Sequence, residues 1–174
     1  MSGWTVVLLA LALERGIELV VSQRNLAWSR ARGGVEYGAE HYPWMVCLHS
    51  AFLLGLAAEP AWTLPAPSPV LVAVGAVGAV GAQALRWWCI ATLGPRWNTR
   101  VVVVPGLAPV TDGPYRWLRH PNYVAVVVEG VALALLGGAY VTGALFTVLN
   151  AWLLTVRIRV EDAALATLSP REVR

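Results

Sequence analysis

The sequence predicts an all-α integral membrane protein of about five transmembrane helices with one long cytosolic loop. Two observations lead there. Of the 174 residues, 57% are hydrophobic and only 13% are charged, where a soluble domain carries about 25% charged residues. The basic residues are all arginine, and they sit in short segments between long apolar runs. A chain so poor in charge has lipid for much of its solvent, and its length suits one bundle. Residues 1–174 are therefore read as a single domain.

A helix crosses the hydrocarbon core with about 20 mostly apolar residues. Residues 4–21, 42–58, 70–93, 123–136 and 140–156 form the five candidate spans. The fourth is short, so it either tilts or borrows part of the preceding loop. The fourth and fifth are joined by a tight turn at Gly137 and Gly138. The linkers test the count. Residues 23–41 carry Arg24, Arg30 and Arg32, and residues 94–122 carry Arg96, Arg100, Arg116 and Arg119. The tail carries Arg157, Arg159, Arg171 and Arg174. Residues 59–69 and the diglycine turn carry no arginine. This alternation requires an odd number of crossings in an inner (plasma) membrane, with the N-terminus outside and the C-terminus cytoplasmic. The start of the chain is not read as a signal peptide, because no basic stretch precedes it and Glu14, Arg15 and Glu18 interrupt the apolar run.

Several function classes fall away on composition. The net charge of +3 forms no basic stripe and no nucleic-acid motif, so nucleic acid is not an expected partner. Cys47 and Cys89 lie in apolar runs without a CxxC or histidine-rich spacing, and read as buried free thiols. His41 reads as an interfacial residue and His49 as a packed helix residue. Neither has a second ligand at metal spacing, and no metal is expected. The VGAVGAVGA run lacks the GxGxxG spacing. Its pairs Gly75/Ala79 and Gly78/Ala82 instead let helices approach closely in lipid.

Charges inside a bilayer cost at least about 2.5 kcal/mol each on insertion scales, so each needs a partner or a task. Glu14 and Glu18 share a helix face, and Arg15 and Glu18 are spaced to pair. They read either as an internal ion pair with Arg86 or a loop arginine, or as part of a polar site lining. Glu129 is the remaining intramembrane acid, and either pairs with an arginine or faces a substrate. The stretch 94–122 holds five prolines, with Gly106 and Gly113 marking turns, so it is no long helix. Aromatics, arginines and a histidine make it a ligand-site candidate, and equally an interfacial anchor. Arg157 and Glu161, four residues apart, either form an intrahelical ion pair or work with this loop.

The block GPYRWLRHPNY at 113–123, an apolar hairpin, and then RIRVED at 157–162 resemble the isoprenylcysteine carboxyl methyltransferase family. The family pattern is G-x-Y-x-x-x-R-H-P-x-Y, a hairpin, then R-x-x-x-E-E. Here Asp162 replaces the second Glu. ERGIELVVSQRN, GGVEYGAEHYPWMVCLH and RWNTRVVVVPG further resemble the bacterial branch that O-methylates alkylpyrones or alkylresorcinols. That branch also ends soon after the acidic pair, and family members acting on prenylcysteine continue with a further aromatic-rich tail.

The resemblance implies an S-adenosylmethionine-dependent O-methyltransferase with a lipophilic small-molecule acceptor and membrane lipid as its surroundings. It implies that Val110, Thr111, Gly113, Tyr115, His120, Pro121, Asn122, Tyr123 and Glu161 hold the cofactor at the cytosolic loop. It places Arg157 on the acceptor side. Glu129 is the candidate proton acceptor beside it, with Glu14 as the alternative. A prenylcysteine-type carboxylate is the rival acceptor. A membrane reductase or a non-enzymatic membrane binding protein is the rival class. The topology is checked by reporter fusions, which are expected to place Gly137 outside and Arg116 inside; the opposite side at either position would overturn the orientation.

Overall fold

The computed structural model describes residues 3–62 and 66–168. Within them, five long helices account for most of the chain: α1 (Gly3–Arg30), α2 (Tyr42–Ala58), α3 (Pro69–Leu93), α4 (Pro121–Gly137) and α5 (Tyr140–Ala166). Two three-residue strands, β1 (Val35–Tyr37) and β2 (Val101–Val103), pair antiparallel, with Glu36 opposite Val102. Arg171 and Arg174, part of the basic tail, lie outside the described residues.

Each expected apolar run is a helix, but the run and the helix end in different places. α1 continues past its apolar stretch to Arg30, and α5 continues to Ala166. Arginine, glutamate and alanine are good helix formers, so the loss of hydropathy marks a change of solvent rather than the end of the hydrogen-bond ladder. The extension of α5 carries Arg157, Glu161 and Asp162 on one continuous helix. α4 starts at Pro121, whose missing N–H costs nothing at a first helical position. It ends at Gly138, which adopts a left-handed conformation at φ 72°. The carboxylate of Glu59, just beyond α2, accepts from the Val141 and Thr142 amides at 2.9 and 2.7 Å, and so caps the start of α5.

Among the described residues, three helical segments are long and apolar enough to cross a membrane: Ala39–Ala61, Pro69–Arg96 and Tyr140–Ala166. α4 is equally apolar but shorter, at 17 residues. α1 is 28 residues long and has Glu14, Arg15 and Glu18 in its middle. The outward faces are apolar. Leu54, Val77, Val148 and Trp152 are all at least two-thirds exposed, which is the pattern of a protein solvated by lipid. Cys47 is on this outer surface, not buried as its apolar neighbours suggest, because lipid-facing positions are as apolar as the core; Cys89 is buried.

The glycine run behaves as small-residue packing, but unevenly. A side chain at Gly75 would meet the Ala132 carbonyl oxygen and the Leu136 amide, each 2.7 Å from the added carbon. Gly78 faces the Ala132 methyl at 3.0 Å, while Gly81 has open space around it. The α3–α4 contact thus depends on Gly75. Gly75→Ala is expected to destabilise the detergent-solubilised protein by about 1–3 kcal/mol through overpacking, and Gly81→Ala to leave it unchanged or slightly firmer. Thermal unfolding of the two variants side by side checks this, and equal transitions would refute it.

Candidate active site

The loop between α3 and α4 is moored to α1. Asn25 Nδ2 donates to the carbonyls of Gly94 and Trp97, at 3.2 and 2.7 Å. Ser22 Oγ donates to Asn98 Oδ1 at 2.9 Å and accepts from the Thr99 amide at 3.0 Å. β2 follows, paired with β1, and Arg100 reaches Glu36 at 2.5 Å while its guanidinium stacks on Tyr42. The Val101–Val104 run is rich in β-branched residues and bounded by Arg and Pro-Gly, a strand signal that was open to reading in the sequence. These ties fix the Thr99 carbonyl beside α5.

Arg157 is buried and fully engaged. Its Nη2 donates to the Thr99 carbonyl at 2.6 Å, its Nε to the Tyr123 hydroxyl at 2.8 Å, and its Nη1 reaches Met45 Sδ at 3.1 Å. Tyr123 in turn donates to Glu161. The expected Arg157–Glu161 contact is therefore relayed through Tyr123. His120 Nε2 lies 3.0 Å from Asp162 Oδ1, and its Nδ1 is 3.9 Å from Glu161. His120 also stacks on the Tyr123 ring. One end of α5 and the start of α4 thus share two carboxylates, a histidine and a tyrosine. Arg119, also 3.1 Å from Asp162, sits outermost.

On the other side of Tyr123 lies a cavity of about 230 Å³ between α1, α2, α4 and α5. Leu11, Phe52, Leu133 and Phe146 make its apolar depth; Asn122, Tyr123, Thr99 and Arg157 border its polar end. The Asn122 Oδ1 is buried without a hydrogen-bond donor among the described residues. Glu129 borders the cavity as expected, already holding three donors: Arg15 at 3.0 Å, Gln83 at 2.9 Å, and Arg86. Glu18 accepts from Arg15 at 2.7 Å and lies 3.5 Å from Arg86. Glu14 accepts from Gln83 at 2.5 Å and Trp87 at 2.8 Å. The ion-pair reading of these charges holds, and Arg15, Glu18, Arg86 and Glu129 also line the cavity.

The remaining sequence-predicted residues are spread along the loop. Tyr115 hydrogen-bonds Cys89, and burial pushes its phenol above the ordinary tyrosine range, so it stays protonated at neutral pH. Gly113 has φ 55°, and a side chain there would meet Thr92 Oγ1 at 2.5 Å, so glycine lets the loop lie against α3. Pro121 is buried at the start of α4. Val110 is half-buried and Thr111 exposed, and neither borders the cavity. Sequence reasoning missed Met45, Thr99 and Tyr42, which are uncharged and 57 or more positions away in the chain from these partners.

An apolar bundle with a lipid-accessible exterior, an internal apolar cavity and a polar loop at one end defines a multi-pass membrane protein with a site between its helices. Residues 73–167 match the model of the isoprenylcysteine carboxyl methyltransferase family. The chain belongs to that family of membrane methyltransferases. It is 41% identical to YpbQ of Bacillus subtilis, described as uncharacterized, over 91% of this chain and 94% of that protein. It is 24% identical to an uncharacterized protein of Haemophilus influenzae, over 90% of this chain and 91% of that one. It is also 30% identical to the cobalt-zinc-cadmium resistance protein CzcN of Cupriavidus metallidurans, over 59% of this chain and 44% of CzcN. No solved structure matches.

The ion cluster yields a stability test. Glu129→Ala leaves the buried Arg86 without its nearest carboxylate, a loss expected to cost about 3–5 kcal/mol. Glu129→Gln keeps an acceptor and the shape, and should cost less. Denaturation in detergent ranks the two; Glu129→Ala at wild-type stability would mean that the cluster is not a structural centre.

Proposed function

We propose that the chain is an S-adenosylmethionine-dependent O-methyltransferase acting on a lipophilic acceptor. Long-chain polyketides of the alkylpyrone or alkylresorcinol type are the preferred class. The observation that carries this reading is the position of Tyr123. Its hydroxyl links the Glu161, Asp162 and His120 cluster on one side to Arg157 and the apolar cavity on the other. A polar cofactor and an apolar acceptor could meet at that boundary.

The donor set suits the cofactor. Glu161 can accept ribose hydroxyls, His120 and Asp162 add polar contacts beside it, and the unpartnered Asn122 Oδ1 can take an N–H or O–H. Val110, Thr111, Gly113, Tyr115, Pro121 and Tyr123 would complete the cradle. When bound, the cofactor supplies an electrophilic methyl group on a sulfonium.

The protein's part is alignment and exclusion of water, which together lower a barrier by about 7–11 kcal/mol. A guanidinium offers donors and no acceptor, so Arg157 is not the base. Its charge favours an oxygen anion on the acceptor, and its three contacts hold it in one place. Glu129, with its three donors, would act mainly by fixing Arg15 and Arg86 in the cavity wall. A prenylcysteine-type carboxylate is the second reading, since a guanidinium suits that anion equally. The inner membrane, with the long loop and the end of α5 cytoplasmic, is the setting we propose on the arginine pattern. CzcN is named for metal resistance; among the described residues no three His, Cys, Asp or Glu side chains are grouped to hold a metal ion.

The test uses purified protein, methyl-labelled cofactor, and alkylpyrone, alkylresorcinol and farnesylcysteine acceptors. Methylation of a polyketide is expected. Glu161→Ala should weaken cofactor binding by roughly 10- to 100-fold, the loss of about 1.5–3 kcal/mol for a charge-assisted contact. Arg157→Ala should cut turnover while leaving cofactor affinity nearly intact, and Arg157→Lys should recover part. Wild-type cofactor affinity in folded Glu161→Ala, or methylation of farnesylcysteine alone, would defeat the respective assignment.

A further inference from the structure

The cavity wall contains a basic side chain to which neither the family motif nor the loop assigns a task. His49 lies on α2, one turn below Met45, the residue that touches Arg157 at 3.1 Å. Four residues along a helix rise about 6 Å, so His49 borders the cavity one step deeper than Arg157. Its Nδ1 is 2.9 Å from the Met45 carbonyl oxygen. A backbone carbonyl only accepts, so Nδ1 carries the hydrogen, and in the neutral ring Nε2 is left with its lone pair. Among the described residues that nitrogen makes no hydrogen bond. With Nδ1 turned to the helix backbone, Nε2 lies on the far side of the ring. Phe146 of α5 meets the ring nearly perpendicular, at 5.2 Å and 87°, and stacks on Phe52 behind it. The imidazole is thus held in one tautomer and one orientation.

The acids nearby are differently placed. Glu14 and Glu129 have both carboxylate oxygens taken up by Gln83, Trp87, Arg15 and Arg86, and lone pairs occupied by such donors are poor acceptors of a further proton. Glu18 accepts from Arg15 with one oxygen, and its other oxygen makes no hydrogen bond among the described residues and lies 3.5 Å from Arg86. Arg86, Glu129 and Arg15 are the charged groups whose fields reach His49 from α3, α4 and α1; the two arginines oppose a lasting positive charge on the ring and the carboxylate favours it, so the ring rests neutral with the Nε2 lone pair free and a proton taken up there is passed on.

We propose that His49 Nε2 is the proton acceptor for weakly acidic acceptors in this cavity. The step rests on the methyltransferase reading. The acceptor oxygen forms its bond to the methyl carbon while the carbon–sulfur bond breaks and leaves its electron pair on sulfur. The hydroxyl proton passes to Nε2 and then to water. A resorcinol hydroxyl needs this help. A pyrone enol ionises readily and depends on it less.

The experiment uses full-length protein in detergent with a pentadecyl resorcinol and a long-chain alkyl hydroxypyrone as probes. His49→Gln keeps a hydrogen-bonding group near the Nε2 position but cannot take up the proton. It should lower resorcinol turnover by about 100-fold or more, the usual contribution of a general base, and pyrone turnover by less than about 10-fold, with cofactor affinity unchanged as the check on folding. His49→Asn, which retains the group nearer the backbone, should behave alike. Equal losses for the two acceptors, or none, would overturn the proposal, as would a larger resorcinol-selective loss in Glu129→Gln. An independent readout needs no cofactor. Nitrogen-15 spectra of labelled histidine should show Nδ1 protonated, with the Nε2 signal of His49 moving when the resorcinol is added. A hydrogen found on Nε2 instead, or no response to the resorcinol, would end the idea even if turnover fell. A wild-type protein that methylates neither probe would sink the polyketide methyltransferase reading on which the step rests, while the spectra would still decide the tautomer and the contact.

Discussion

The buried contact between Arg86 and Glu129 is the constraint around which the bundle is arranged. Arg86 belongs to α3 and Glu129 to α4, and Arg15 and Glu18 of α1 close the network around them. In a lipid-solvated bundle the apolar side chains gain little from each other that lipid would not also offer, so van der Waals fit and interhelical polar contacts specify the arrangement. Counting Glu14, the cluster gathers three acids and two arginines. A cluster of this kind is costly to bury and costlier to break, and it determines which faces of α1, α3 and α4 turn inward. The close approach at Gly75 then completes the α3–α4 seam.

The same constraint shapes the site. With α1 pulled towards α3 and α4 at Arg15, the space left between α1, α2, α4 and α5 remains open as the cavity. Its polar end is made by a separate set of ties: Ser22 and Asn25 of α1 hold residues 94–99, and the Thr99 carbonyl holds Arg157. The ion cluster and Arg157 thus hold the wall at two levels, with His49 between the Met45 contact and the deeper ring stack. Rigid placement of this sort is what a transfer reaction that depends on alignment requires.

The apolar cavity, the guanidinium at its mouth and the boundary residue Tyr123 are the features that make the polyketide and prenylcysteine readings comparable in chemistry, while the weak acidity of a resorcinol hydroxyl, against a pyrone enol or a carboxylate, is what would give His49 a role.

The apolar runs, the diglycine turn, the packing glycines and the pairing of Arg15 with Glu18 were legible in the sequence, because hydropathy, turn chemistry and helical spacing act locally; which arginine would join them, Arg86 or one from a loop, was not. So was the loop block that carries the family motif. Other features were decided only by the fold. The strand pair joins Val35 to Val103 across the whole of α2 and α3. Arg157 and Glu161 look like a simple intrahelical pair by spacing, yet Tyr123, 34 residues before Arg157, stands between them. Cys47 and Cys89 read alike in sequence, but one faces outward and the other inward. Lipid and core demand the same apolar side chains, so a membrane sequence states which residues avoid water but not which of them face each other. That choice is made by the few polar groups whose partners lie on other helices.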